Sequence, residues 1–339
     1  MSSFRRHCGL AAIGFVLAFG STAARATDYP LSLDNCGIAL SFEKAPERVV
    51  SIGQSMTEIM YLLGLSDRVA GTALWVAPVL PQFEEVNEEV KRLADNDPSF
   101  ESVVAERPDL VTTQFEGQVG PHGVVATREQ FADLEIPVYT SPADCVGKDN
   151  SNGGDGLRTN PFSMDLVYEE VSDLARIFDV EERGAALIAD LKAREQAAEE
   201  KIAGLDGDVS AVFWFSSADL DIDPYVAGQS GAPGAMMKTL GVKNVIDSEE
   251  EWPTVGWETI ARANPTIIVI GKMDRRRFPA DDIAVKQQFL KEDPVVSLMT
   301  AVRKGRVIVM DAQAMNPTIR TISGLEVLAD ALVKAGLVQ

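Results

Sequence analysis

Histidine and cysteine are scarce in this sequence, and their scarcity limits the chemistry that the chain can perform. The 339 residues include two histidines and three cysteines, and only His122, Cys36 and Cys145 lie beyond residue 26. A single histidine argues against a zinc site of a common type. Two cysteines near polar turn residues most simply form one disulfide in an oxidising compartment, while a reactive thiol or a metal-binding pair is the alternative.

Basic residues are also few, since 31 lysines and arginines stand against 51 aspartates and glutamates. Residues 1–26 contain three arginines and no acid, so the remaining 313 residues hold 28 basic against 51 acidic side chains, a formal charge of −23. Nucleic acid and anionic lipid surfaces repel such a chain. We therefore expect no nucleic-acid partner.

Long apolar runs are absent except near the beginning. Arg5 and Arg6 precede the run LAAIGFVLAFG, and Ala24 and Ala26 fit the small-x-small pattern at which signal peptides are cleaved. The run is too short to span a bilayer as a helix. We predict that residues 1–26 are a cleavable signal peptide and that the rest of the chain works in the periplasm without inserting into a membrane.

Catalytic patterns are missing as well. The segment GQSMT, which begins at Gly53, lacks the second glycine of G-x-S-x-G, and His122 is the only available base. The segment GQSGAPG, which begins at Gly228, matches neither the dinucleotide pattern nor the phosphate-binding loop. We predict no catalytic residue, no enzymatic activity and no cofactor, and keep a hydrolase or oxidoreductase as the alternative from a different class.

Two stretches, PSFESVVAERPDLVTT and TVGWETIARANPTIIVI, follow the same plan. In each, an aromatic residue precedes a glutamate, and a proline follows the glutamate by seven positions: Phe100, Glu101 and Pro108 in the first, Trp257, Glu258 and Pro265 in the second. A β-branched apolar run comes next. Each stretch predicts a short amphipathic helix followed by a buried parallel strand.

The order of these patterns predicts an α/β fold with two similar lobes, each built on a central parallel sheet, and a ligand cleft between them. We place the N-terminal lobe at residues 27–162, a helical linker at 163–204 and the C-terminal lobe at 205–339. The linker contains one long helical pattern, EERGAALIADLKAREQAAEEKIAGL. In the first lobe, Ser55 and Glu58 form an S-x-x-E pattern, which predicts a capping box at the start of a helix that stops at Gly64.

Ligands of open parallel sheets bind beyond the carboxyl ends of the strands, so residues that follow predicted strands are candidate ligand contacts. These candidates are Gln54, Trp75, Phe115 to Gln118, Lys272 to Arg277 (with Arg275 and Arg276), and Met315 to Arg320, with Tyr225 and Trp252 as aromatic residues near the same edge. The three consecutive arginines could neutralise an anionic ligand, or they could balance nearby acids in a solvated loop. Trp214 lies inside a predicted strand and is expected in the core.

With these features the chain resembles the periplasmic substrate-binding proteins of ABC importers, in particular the group that carries ferric siderophores, haem or cobalamin. The stretch APERVVSIGQSMTEIMYLLGLSDRVAGT is similar to the first strand, helix and strand of that family. The twin stretches that contain Glu101 and Glu258 are similar to two later motifs. The resemblance runs from about Asn35 to the C-terminus and implies a monomeric, non-enzymatic carrier.

The resemblance also assigns roles to individual residues. In that family, one glutamate on each lobe pairs with arginines of the dimeric permease, and these glutamates correspond to Glu101 and Glu258. The alternative is that both merely complement a helix dipole. Family members that begin with an NCG segment, as at Asn35 to Gly37, carry a second cysteine where Cys145 falls, which supports a disulfide between Cys36 and Cys145.

The cargo follows least directly from the sequence. A ferric siderophore of net negative charge fits the arginine run best, with iron present only as part of the bound chelate. A haem carrier would use Tyr225 as an axial ligand, and a cobalamin carrier fits the arginines poorly. The glycine-rich stretch Ser151 to Gly156 departs from the family pattern. The expected partners are therefore a metal chelate and a permease dimer with its ATPase.

Overall fold

A computed structural model describes residues 26–151, 156–275 and 277–339. The predicted signal peptide, except Ala26, lies outside the described residues, as do residues 152–155 of the glycine-rich stretch and Arg276. No helix within the described ranges is long and apolar enough to cross a membrane.

The N-terminal lobe is built on a parallel sheet of five strands, preceded by the antiparallel hairpin of β1 (Leu31–Asn35) and β2 (Ile38–Phe42). The sheet contains β3 (Val49–Ile52), β4 (Val69–Ala73), β5 (Arg92–Ala94), β6 (Leu110–Thr113) and β7 (Val138–Thr140), in the spatial order β5-β4-β3-β6-β7. Its helices are α1 (Gln54–Leu62), α2 (Glu84–Glu89), α3 (Phe100–Val104), α4 (Arg128–Ala132) and α5 (Pro142–Cys145). All pairs of neighbouring strands in this sheet are parallel, because each connection between them crosses over a face of the sheet.

Two short strands and two long helices lead to the second lobe. Strands β8 (Lys148–Asp149) and β9 (Leu157–Arg158) pair antiparallel on either side of the glycine-rich stretch. Helix α6 (Asp165–Ile177) packs against α7 (Glu181–Lys201), which also packs against the last helix of the chain. Helix α7 is the predicted linking helix, and its buried residues are Gly184, Leu191 and Ala198. Its contact stripe is therefore narrow.

The C-terminal lobe repeats the parallel arrangement with one exception. Its strands are β10 (Ser210–Ser216), β11 (Tyr225–Val226), β12 (Lys243–Asn244), β13 (Ile267–Lys272) and β14 (Val307–Asp311). Its helices are α8 (Ala232–Thr239), α9 (Trp257–Ala263), α10 (Ile283–Glu292), α11 (Thr300–Arg303) and α12 (Thr321–Lys334). Strand β10 pairs parallel with β12 and β13, and β13 with β14. Strand β11 is antiparallel to β10, because a connection of eight residues is too short for a crossover.

The repeated plan predicted from the sequence occupies equivalent places in the two sheets. Helix α3 leads into β6, which pairs with β3, the strand of that sheet that comes first along the chain. Helix α9 leads into β13, which pairs with β10 in the same way. The predicted α/β fold with two similar lobes is confirmed.

The predicted capping box at Ser55 and Glu58 is wrong. Helix α1 begins two residues earlier than a cap at Ser55 requires, with Gly53 as its N-cap at φ 126° and without a side-chain cap. A Cβ atom at Gly53 would lie 2.3 Å from Cβ of Gln114, so this position needs glycine. The Ser55 hydroxyl instead accepts a hydrogen bond from the backbone N–H of Ile319, in the other lobe.

The disulfide expected between Cys36 and Cys145 is present, with an S–S distance of 2.04 Å. It joins the turn of the β1–β2 hairpin to α5, across 109 positions of the chain. Trp214 is fully buried in the C-terminal lobe, where its ring packs edge-on against Trp257 at 4.8 Å between ring centroids. The prediction that Trp214 belongs to the core is confirmed.

A candidate ligand cleft between the lobes

A cleft of about 480 Å³ lies where strands of both lobes end. The loop after β4, helix α2, the first residue of β5 and the residue after β5 supply most of its wall, and the loop after β13 supplies the part that belongs to the C-terminal lobe. Its described lining consists of Trp75 to Val79, Glu84, Asn87, Glu88, Arg92, Asp95, Asp274 and Arg275. The position beyond the carboxyl ends of parallel strands is the one expected for a ligand.

Trp75 forms a rigid aromatic wall of this cleft. Its indole N–H donates a hydrogen bond to the Thr72 hydroxyl at 3.1 Å, and only 4% of the residue is exposed. The Arg92 guanidinium stacks over the ring, 4.6 Å from its centroid, and pairs with Asp95 at 3.3 Å. Because these contacts fix both side chains before a ligand arrives, little conformational entropy is lost on binding.

Arg275 brings the second lobe into the cleft. Its Nη1 donates to Asn96 Oδ1 at 3.0 Å, and the backbone N–H groups of Asp274 and Arg275 donate to the carbonyl of Val76. Burial lowers the pKa of Arg275, and the nearby Arg277 lowers it further. Among the described residues, the buried Nε atom of Arg275 has no hydrogen-bond partner, so the guanidinium retains an unused donor there.

A buried lysine fixes the loop that carries Arg275. The side chain of Lys286 donates to the carbonyls of Phe215 and Gly271, at the ends of β10 and β13. Burial lowers the pKa of Lys286 to about 8. Asp281 accepts hydrogen bonds from the backbone N–H groups of Arg277 and Phe278, at 2.6 and 2.9 Å. Together these groups hold the turn after β13 in one conformation.

The other two arginines and Lys272 lie differently. Lys272 and Arg277 are exposed and do not belong to the described lining, and Arg276 lies outside the described residues. The described lining carries four carboxylates, from Glu84, Glu88, Asp95 and Asp274, against the two guanidinium groups of Arg92 and Arg275. This wall does not have the positive charge that the sequence suggested.

Three predicted ligand residues lie in the framework behind the cleft. Gln54 is fully buried, and its amide binds the backbone N–H groups of Val76 and Ala77 and the carbonyl of Pro78. Arg320 is 8% exposed and donates hydrogen bonds to Glu58, Asp311 and the carbonyl of Pro78. Met315 is fully buried in the hydrophobic core. The structure gives these side chains a supporting role.

The remaining aromatic candidates are partly buried near the same edges. Phe115 follows β6 and Tyr225 lies in β11, where it pairs with Thr254. Trp252 packs against Phe215, with 4.6 Å between the ring centroids. Their ligand contacts stay predictions. The sequence reading missed α2, although Glu84 and Glu88 have the i, i+4 spacing that places two carboxylates on one helix face.

Glu101 and Glu258 are exposed, and each lies in the first turn of its short helix. Ser99 caps α3 by accepting a hydrogen bond from the Ser102 backbone N–H, whereas α9 has Gly256 at its N-cap and no side-chain cap. Both carboxylates are therefore presented to solvent from equivalent positions in the two lobes.

Comparison with protein families finds a match to the family described as periplasmic binding protein, over residues 49–314. The ferric-anguibactin-binding protein FatB of Vibrio anguillarum is 23% identical over 305 residues, which cover 85% of this chain and 82% of FatB. The cobalamin-binding protein of Halobacterium salinarum is 23% identical over 318 residues, which cover 91% of this chain and 76% of that protein.

A solved structure has the same fold along nearly the whole chain. It is described as an ABC-type Fe3+-hydroxamate transport system from Saccharomonospora viridis, and it superimposes with a TM-score of 0.71 at 24% sequence identity. The match covers 90% of this chain and 99% of that one.

Proposed function

Because the chain belongs to the periplasmic binding protein family, we propose that it is the extracytoplasmic substrate-binding component of an ABC importer and that its cargo is a metal chelate. The cleft that both lobes line carries this proposal, together with the two exposed glutamates at equivalent places. The names of the similar proteins, which include ferric-siderophore and cobalamin binding, support the cargo class.

Delivery to the membrane would use the symmetry of the lobes. A permease dimer presents the same surface twice, and a carrier with two similar lobes can offer one carboxylate to each half. Glu101 and Glu258 have the exposure and the equivalent positions that such docking needs. We propose that both pair with basic groups of the permease.

We further propose a ferric siderophore without net negative charge as the cargo. Four carboxylates face two guanidinium groups in the described wall, and Arg92 is already paired with Asp95. A strongly anionic chelate would meet repulsion there, while a neutral or cationic chelate would not. Trp75, 4% exposed and stacked beneath Arg92, belongs to the wall against which an organic chelate can rest.

A fluorescence titration tests the binding function directly. The chain without residues 1–26 is titrated with a ferric hydroxamate siderophore, a ferric catecholate siderophore, ferric citrate, haem and cyanocobalamin. We expect saturable quenching by the ferric hydroxamate siderophore and none by its iron-free form, whereas the strongly anionic ferric catecholate should not bind. The Trp75→Phe variant should lose most of that quenching, whereas Trp214→Phe, in the core, should keep it.

Each other outcome of the titration has a definite meaning. Saturation by cyanocobalamin or haem alone would keep the carrier function and refute the siderophore. If none of the five compounds binds, the metal-chelate cargo is refuted.

A further inference from the structure

Four charged side chains form a buried cluster across the lobes. Asp144 and Lys148 lie at α5 and β8, Arg158 lies in β9, and Glu251 belongs to the C-terminal lobe. At most 9% of any of these side chains is exposed. Lys148 pairs with Asp144 at 2.6 Å and with Glu251 at 3.6 Å, and the Arg158 Nε donates to Glu251. We call these four side chains the interlobe clasp.

The clasp is anchored firmly in the N-terminal lobe. The Arg158 guanidinium also donates to the carbonyl of Ala143, in α5. Asn150 donates to the carbonyl of Asp144 at 2.6 Å, and Cys145 of the same helix is held by the disulfide to Cys36. Strands β8 and β9 lie on either side of the stretch that departs from the family pattern. Because they are anchored in this way, both cations of the clasp, Lys148 and Arg158, have fixed positions in the N-terminal lobe.

The clasp touches a candidate ligand loop in each lobe. The backbone N–H of Glu116, next to Phe115, donates to Asp144 at 2.7 Å. Glu251 directly precedes Trp252 in the chain, and its carbonyl accepts a hydrogen bond from the Gly228 backbone N–H. A continuous path of charged contacts thus runs from the loop after β6 to the loop of Trp252.

We propose that the interlobe clasp fixes the separation of the two lobes at this end of the cleft and so positions the loops of Phe115 and Trp252. The statement that the clasp positions these loops for a ligand rests on the proposed function, but the statement that it fixes the separation of the lobes does not. Two acids and two bases neutralise each other in a site that excludes water. Movement of the lobes apart would leave Glu251 on one side and both cations on the other.

Removal of the charge of one clasp member should therefore let the lobes separate at this end of the cleft, while the bonds of Arg320 to Glu58 still join them elsewhere. Glu251→Gln keeps the size of the side chain but leaves Asp144 as the one carboxylate of the clasp for Arg158 and Lys148. A buried cation without its partner is unfavourable, and water entry by lobe separation relieves that cost. Burial raises the pKa of both Asp144 and Glu251, which agrees with a site poor in water.

Distance measurement between spin labels tests the clasp without any ligand. Labels are attached to cysteines introduced as Ala132→Cys in α4 and Gln287→Cys in α10, both exposed positions. We expect a narrow distance distribution for the unsubstituted clasp, and a longer mean distance with a broader distribution for Glu251→Gln. The control is Glu250→Gln, an exposed neighbour, which should leave the distribution unchanged.

An unchanged distribution in a folded Glu251→Gln variant would overturn the proposal. If that variant does not fold, amide exchange in the unsubstituted chain gives the answer. The Phe162 backbone N–H donates to the Ser230 carbonyl across the lobes at 2.8 Å. The clasp predicts that it exchanges as slowly as the amide of Val212 in β10; exchange more than about tenfold faster would refute a fixed separation.

Discussion

Glu170 is a fully buried carboxyl with one hydrogen bond, from the Ser141 hydroxyl at 2.8 Å to its Oε2 atom. Its Oε1 atom has no partner in the part of the chain that the structure describes. Burial, with a further contribution from the charge of Asp173, raises the pKa of Glu170 to about 8. The side chain is therefore protonated at neutral pH in the folded chain and ionised in the unfolded chain.

This difference makes stability depend on pH in a known direction. Because the folded pKa lies above the unfolded value of 4.5, the contribution of Glu170 is largest below pH 4.5 and is lost as the pH rises to about 8. Glu170→Gln keeps the bond to Ser141 without this dependence. We expect the free energy of unfolding of the variant to exceed that of the original chain by about 3 to 5 kcal/mol at pH 8 and by much less at pH 5.

Urea unfolding at the two pH values measures this effect. Glu182→Gln, at an exposed position of α7, is the control and should behave like the original chain. If the free energy of unfolding falls equally between pH 5 and pH 8 in the Glu170→Gln variant and in the original chain, the raised pKa of Glu170 is contradicted.

Asp274 and Arg275 are adjacent residues of opposite charge that both line the cleft. The effects of substituting each of them on binding therefore indicate the charge of the cargo. For a cationic cargo, Asp274→Asn should weaken binding by about twofold to fivefold at low salt, and less at high salt, whereas for a neutral cargo it should leave binding unchanged. Arg275→Gln should leave affinity unchanged or improve it. The dissociation constants from the fluorescence titration decide the matter, and the reverse pattern would indicate an anionic chelate.

Residue roles could be predicted where they depend on local pattern. Trp214, inside an apolar run, was assigned correctly to the core. Trp75 was placed correctly after a strand, and its place in the cleft follows from the sheet. Gln54 and Arg320 satisfied the same rule, yet their hydrogen bonds go to groups of the protein framework. Position after a strand does not reveal which way a side chain turns.

At the scale of elements, Arg320 ties the start of α12 to helix α1 in the other lobe. Its guanidinium binds both carboxylate oxygens of Glu58, a side chain that is fully buried. Arg320→Met would leave this carboxylate buried without a cation, at a cost of about 3 to 5 kcal/mol. Burial, the largest influence, already raises the pKa of Glu58.

Urea midpoints should show this loss for Arg320→Met and almost none for Arg303→Met, which changes an exposed arginine of α11. The double variant Glu58→Gln with Arg320→Met should recover part of the loss, because no charge then remains buried alone. A double variant as unstable as the sum of both single changes would show that the pair acts through packing only.

Element prediction failed where a distant contact overrode a local pattern. Ser55 and Glu58 have the spacing of a capping box, but Glu58 lies 262 positions from the arginine that binds it. The pair of Arg158 and Glu251 is separated by 93 positions. By contrast, the helix and the strand of each twin stretch follow from residues that are close together in the sequence, so their prediction succeeded.

At the scale of the whole molecule, two similar lobes present Glu101 and Glu258 from equivalent helices. Neither glutamate lines the described cleft. We therefore expect the change of both to alanine to leave cargo affinity unchanged and to abolish delivery. The control is the pair Glu129→Ala and Glu182→Ala, which removes two exposed glutamates from the first turns of other helices.

Uptake of the labelled metal chelate that saturates the fluorescence titration tests this account most directly. Cells that lack the chain receive the original sequence, the Glu101→Ala and Glu258→Ala double variant, or the control pair. We predict that the original and the control restore uptake, while the double variant binds the chelate with normal affinity and restores none. Uptake that does not require the chain, or full restoration by the double variant, would contradict the account.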